Sequence, residues 1–176
     1  APVATTMIKK WGKKEACSAA LAFASVIYFL LYFMHITNPW IFCVLIFFGN
    51  MGTGLFNLMV WAFITDVIDY QEVISGERDD GTVYGIYSFS RKLGQALAGG
   101  LGGYALAMIG YVTSTDGAAI TQTQGVLDGI YGVATLTPAI GYALIALVLF
   151  FWYPLSKKKI AENQRKLGLD TTVEDA

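Results

Sequence analysis

The chain alternates long apolar runs with short polar or charged interruptions, and that rhythm sets the expected elements. A first run, Ala16 to His35 (ACSAALAFASVIYFLLYFMH), contains no Asp, Glu, Lys or Arg. Asn38 then Pro39 marks a helix start, because an Asn side chain accepts from the orphan N–H groups and proline's fixed φ suits the first helical position. A second run reaches about Thr65, and its helix is expected to continue through Glu72. At ~1.5 Å of rise per residue it is longer than a ~30 Å hydrocarbon layer requires. A third run extends from about Thr82 to Val112, with Asp79 and Asp80 suited to its N-terminus. After the polar stretch TSTDGAAITQTQG, a fourth extends from about Gly129 to Leu155, broken by Pro138 and Gly141. The tail, SKKKIAENQRKLGLDTTVEDA, is polar and helical only at first.

Apolar runs of about 18 or more residues argue for bilayer spans. The expected fold is therefore an all-α membrane protein with four transmembrane helices over residues 16–155. Residues 1–15 read as the end of a preceding helix followed by a basic cytoplasmic loop, so the sequence is expected to be a C-terminal portion of something larger. Residues 156–176 read as a cytoplasmic tail.

Composition agrees. The 176 residues are 55% hydrophobic and only 14% charged, against about a quarter charged in a soluble domain, and mean hydropathy is +0.53. No basic stripe interleaved with aromatics points to nucleic acid. Cys17 and Cys43 lie in apolar runs without CxxC spacing, so they are expected as free thiols rather than a disulfide or metal pair. No metal cluster, nucleophile–base pair or phosphate-cradling loop is present; GGLGG lies within an apolar helix rather than at a strand-to-helix turn. No cofactor is expected and no enzyme.

The net charge of −1 says less than its placement. Lys9, Lys10, Lys13 and Lys14 precede the first run. Arg78, Arg91 and Lys92 follow the second, and Lys157, Lys158, Lys159, Arg165 and Lys166 follow the fourth. The two intervening loops have neither Lys nor Arg. Such alternation is the positive-inside pattern and puts both ends of the chain in the cytoplasm. His35, at the end of the first run, reads as an interfacial histidine before a proton relay.

The most informative interruption is ITDVIDYQEVISGERDDG, residues 64–81. If the second helix continues through it, Asp66, Asp69 and Glu72 stand at its C-terminal end, where the helix dipole is already negative. They need cations. Within the second run, Asn50, Thr53, Asn57 and Trp61 share one face, a stripe of amides and an indole that suits a sugar; the alternative is helix packing, to which Gly49, Gly52 and Gly54 would also contribute. On the third run Tyr84, Ser88, Arg91 and Gln95 share a face bordered by Lys92. A cation about 15 Å along that helix is expected to face water or a carboxylate, or to snorkel to the surface. Gly94 to Gly103 place small residues four apart, a seam for close helix approach.

DVIDYQEVISGERDDGTVYG, then a helix with Lys92 and the closing MIGYV, resembles the glycoside–pentoside–hexuronide:cation symporters of the major facilitator fold. The resemblance implies that the four runs are the last four of twelve helices and that the preceding eight are missing. It implies that Lys92 points into a sugar cavity, with Asn50, Asn57, Trp61, Tyr84, Ser88 and Gln95 as candidate lining residues. Asp66, Asp69 and Glu72 match an acidic cluster that closes the cytoplasmic side through ion pairs. Lys13, Arg78 and Arg91 are the candidate cations here, and others would lie on the absent helices. Partners implied are a sugar, the bilayer and a coupling cation, Na⁺ or H⁺, bound in the missing half. The expected function is cation-coupled sugar uptake by alternating access. The rivals are a free-standing four-span structural or signalling protein, and a lipid or drug transporter on the same fold.

Overall fold

A computed structural model describes residues 6, 8, 10–113 and 120–169. Parts of the expected basic loop, of the polar stretch after the third run, and of the tail lie outside the described residues.

Among the described residues, five α-helices with defined bounds follow one another: α1 (Lys13–Met34), α2 (Pro39–Ser75), α3 (Asp80–Met108), α4 (Gln124–Leu147) and α5 (Lys157–Lys166). Among the described residues there is no strand. Three helical stretches among the described residues, α1, α2 and Gln124–Trp152, are long and apolar enough to cross a membrane. The sequence pattern called for four. At 29 residues α3 is long enough, but its glycines, serines and tyrosines leave it less apolar than the others.

Local chemistry explains the helix ends. The Asn38 side chain accepts from the backbone N–H groups of Trp40 (3.0 Å) and Ile41 (3.4 Å), with Pro39 at the first turn. Gly76, in the left-handed region at φ 78°, ends α2 by donating its N–H to the Glu72 carbonyl. The helix thus runs past Glu72 to Ser75. Asp79 opens α3 by accepting from the Thr82 N–H at 3.0 Å. That helix stops at Met108, short of Val112, because Gly110 takes φ 79° and the Tyr111 N–H turns back to the Leu106 carbonyl.

The fourth run departs most from expectation. It is helical from Gln124 and continuous through Pro138 and Gly141. Packing holds it there: Ala139 is fully buried against α1, and the Ser25 hydroxyl donates to its carbonyl at 2.7 Å. Val148–Trp152 then widen into a π turn, and Tyr153 is extended before Pro154, which disfavours helical geometry in its predecessor.

The core lies on both sides of α1. Cys17, Leu21, Ala24, Tyr28 and Leu31 of α1 are buried at helical spacing. One apolar cluster joins Ile27, Tyr28 and Leu31 to Ala139, with Phe42, Ile46 and Tyr142 against it. A second joins Cys17 to Leu55 and Phe63, with Leu149 and Tyr153 against it. Apolar burial has little driving force in lipid, so close packing and polar contacts hold such helices. Ser18 donates to the Ala146 carbonyl at 2.9 Å, across the same α1–α4 seam as Ser25. The Tyr131 hydroxyl donates to the Leu31 carbonyl and accepts from the Ile36 N–H, sealing the end of α1. By contrast no residue of α3 is buried. A Cβ at Gly94, Gly99, Gly100, Gly102 or Gly103 would meet nothing within 4 Å, so the small-residue seam faces no helix among the described residues.

Two expectations follow from these contacts. A Cβ at Gly52 would run into the Ala20 backbone carbonyl, whereas one at Gly54 meets nothing within 4 Å. Gly52→Ala should therefore cost about 1–3 kcal/mol by forcing α1 and α2 apart, seen as a lowered melting temperature in detergent. Gly54→Ala should melt like the parent; equal melting of the two variants would contradict the close approach. Separately, hydrogen bonds from the Thr82 side chain and backbone hold the Asp79 carboxyl below its ordinary range. A depressed folded-state pKa means that the cap's contribution is complete above the unfolded value of about 4 and is lost as pH falls through the lowered one. Amide exchange over residues 81–84 should accelerate, beyond its intrinsic pH trend, only in that acidic window. Asp79→Ala should show the faster exchange already at neutral pH.

Candidate functional site

Two groups of side chains stand apart from the packed core. The first gathers at the end of the bundle where α1 and α5 begin, α2 ends and α3 begins, which is also the basic end. Asp66, on the last turns of α2, is 3% exposed and receives the Lys13 ammonium at 3.0 and 3.2 Å. Arg78, in the turn between α2 and α3, reaches Asp69 at 3.1 Å, Glu72 at 2.8 Å and Asp80 at 3.1 Å. Its bonds to Glu72 and Asp69, joined by the nearby Asp80, push the guanidinium pKa up from an already high value. The cations required by the dipole argument are thus in place, on the same side as the acids. Lys14 donates to the Tyr153 carbonyl at 2.8 Å.

The second group lies along α3. Tyr84, Tyr87, Ser88, Arg91, Lys92 and Gln95 line an open depression of about 230 Å³. Their spacing of 3, 1, 3, 1 and 3 residues is a single helical stripe, so α3 alone brings them together. At its edge Trp61 of α2 stacks on Tyr84 with centroids 6.0 Å apart and planes 18° apart, and meets Tyr87 edge-on at 6.0 Å. Offset and edge contacts of this kind are the favoured aromatic geometries. Lys92 lies about 18 Å along α3 from Asp80.

Of the candidates for a sugar cavity, Tyr84, Ser88, Lys92 and Gln95 meet in this depression and Trp61 borders it. Asn50 and Asn57 do not line it. Asn50 accepts from the Tyr28 hydroxyl at 3.3 Å, tying α2 to α1, and Asn57 donates to the Thr53 carbonyl of its own helix at 3.1 Å. Arg91, expected with the acidic cluster, instead lines the depression, about 17 Å along α3 from Asp80. The sequence reading omitted Tyr87; its position three residues after Tyr84 was the available signal.

Among the described residues no group of His, Cys, Asp or Glu could hold a metal ion. At the opposite end of the bundle, His35 lies 3.5 Å from Asp128 and its ring 4.5 Å from that of Tyr131, an exposed arrangement.

Comparison with known proteins bears on the whole chain. The MFS/sugar transport protein family matches residues 1–157. An uncharacterized symporter of Bacillus subtilis is 38% identical over 157 residues, covering 89% of this chain and 33% of its own length. A glucuronide carrier protein homolog of Escherichia coli is 30% identical over 162 residues, 92% of this chain and 34% of its own. The chain therefore spans about a third of the curated relatives it matches. No solved structure matches it. With its acidic segment, basic end and apolar helices accounted for, the chain belongs to the MFS/sugar transport proteins, among the glycoside–pentoside–hexuronide:cation symporters.

Proposed function

We propose that this chain is the C-terminal part of a transporter in the cytoplasmic membrane that couples sugar uptake to a cation by alternating access between two halves. The observation that carries the proposal is the stack of Trp61 on Tyr84, beside a depression holding Ser88, Lys92 and Gln95. Aromatic faces accept the C–H face of a sugar ring, while the hydroxyl, amide and ammonium meet its hydroxyls. On this reading α3 is a fourth membrane span, less apolar than the others because one of its stripes faces an aqueous cavity. Lys92 then needs no lipid-facing position. The family's transporters, unlike enzymes, need no catalytic constellation. The coupling cation, Na⁺ or H⁺, would bind on helices outside this chain.

The ionic cluster then has a second role. Lys13–Asp66 and the Arg78 group close the cytoplasmic side while the cavity faces outward, and both ends of the chain lie in the cytoplasm. Breaking such contacts shifts the balance between states rather than abolishing the fold.

Two measurements on the transporter containing this chain test these roles. In proteoliposomes, Trp61→Ala should raise the sugar KM about tenfold, a loss of ~1.4 kcal/mol of binding, and Trp61→Tyr should recover most of it. An unchanged KM in Trp61→Ala would remove the depression from the transport path. For the gate, Lys13→Asp should cost the closed state about 1–3 kcal/mol, below the value for a sealed pair because Lys13 is 21% exposed. Alkylation of the Gln95→Cys variant from the cytoplasmic side should accelerate in that background. Adding Asp66→Lys should slow it again; equal rates in all three backgrounds would exclude the latch.

A further inference from the structure

Tyr28 sits in the core of the bundle, but its hydroxyl reaches out of it. The residue is 7% exposed, its ring meets that of Tyr142 edge-on at 5.5 Å, and a Cβ at Gly49 would come within 3.0 Å of the ring edge. A phenylalanine would fill the same seat; the tyrosine adds one polar atom, which needs a partner where it is covered. That partner is Asn50 of α2, whose Oδ1 accepts from the hydroxyl at 3.3 Å. An amide group is planar, so fixing its oxygen also fixes the direction of its nitrogen, and that end carries only donors. Asn57 differs: its Nδ2 is spent on the Thr53 carbonyl of its own helix at 3.1 Å. Asn50 stands about three turns before Trp61 on nearly the same face of α2. From Trp61 it lies in the direction away from the ionic cluster, the direction in which Gln95 ends the depression on α3.

We propose that Tyr28 is a positioning residue for sugar transport. By holding the Asn50 oxygen against α1, it aims the two amide N–H groups along the Trp61 face of α2, where they donate to an acceptor oxygen of the sugar. This inference rests on the sugar-transport reading of that face. The part of the ligand that fits is a ring or hydroxyl oxygen with a free lone pair, since the end of the amide turned to it can only donate. Tyr28 touches no sugar itself and acts through Asn50. Loss of its hydroxyl frees the amide to rotate, which adds an ordering cost to binding while the rest of the path is unaltered.

The test uses the transporter containing this chain, reconstituted in vesicles, and three labelled sugars: methyl glucoside, methyl xyloside and methyl glucuronide. For whichever the wild type carries with the lowest KM, Asn50→Ala should raise KM roughly tenfold and Tyr28→Phe roughly threefold, the first removing a hydrogen bond and the second its alignment. In Tyr28→Phe kcat should stay within about twofold of the wild type, the signature of binding lost equally in ground and transition states. The double variant should match Asn50→Ala, because a hydroxyl with no amide to hold has nothing left to contribute. An unchanged KM in Tyr28→Phe, whether or not kcat or the melting temperature falls, would make the hydroxyl a strut between α1 and α2 and overturn the inference. So would a double variant roughly threefold worse than Asn50→Ala. Misfolded copies lower the apparent kcat but not KM, so the KM of Tyr28→Phe decides even if Asn50→Ala fails to insert. Both overturning results leave sugar transport intact, whereas uptake of none of the three by the wild type would overturn that reading and this inference with it.

Discussion

A covered carboxylate and the cation that meets it organise the basic end of this protein. Lys13 opens α1, where the dipole is positive, and Asp66 lies on α2 nine residues before that helix ends at Ser75. The two meet at 3.0 Å, so the almost fully covered carboxylate is not left unpaired. Arg78 repeats the logic one turn further on by gathering Asp69, Glu72 and Asp80. Helix ends that repel within one element and attract between elements make the register of α1, α2 and α3 at this end depend on pairing. The cations of this pairing are partly exposed, while Asp66 and Asp69 are nearly covered.

Packing along the bundle is correspondingly uneven. α1 is held on both sides by small residues and by serine hydroxyls bonded to α4 carbonyls, contacts that replace the hydrophobic drive missing in lipid. α3 has none of this. It touches α2 mainly through the Trp61–Tyr84–Tyr87 rings and the turn that joins them. A helix attached so lightly, while carrying two cations and a polar stripe, differs from its neighbours in what it must face. That difference connects its low apolar content to the depression along it.

Much was legible in the residues alone. Run lengths gave the helices, Asn38–Pro39 and Asp79 gave two starts, and alternating lysines gave the common basic end. The wrong-end carboxylates demanded cations before any were located. The spacing of Tyr84, Ser88, Arg91 and Gln95 by four, three and four residues placed one stripe together because an α-helix carries its own geometry. These are local properties, written into spacing and capping chemistry, and they do not depend on what a helix packs against.

Other features were settled only between elements. Pro138 reads as a break, but α4 stays continuous because Ala139 is buried on α1 and Ser25 bonds its carbonyl. Asn50 and Asn57 fall on the same face as Trp61, yet one is engaged by Tyr28 and the other by its own backbone, while Trp61 alone reaches α3. Sequence determined which residues share a helix face and where charge accumulates. Tertiary structure decided which faces meet, because that depends on contacts between residues far apart in the chain, which no local spacing records.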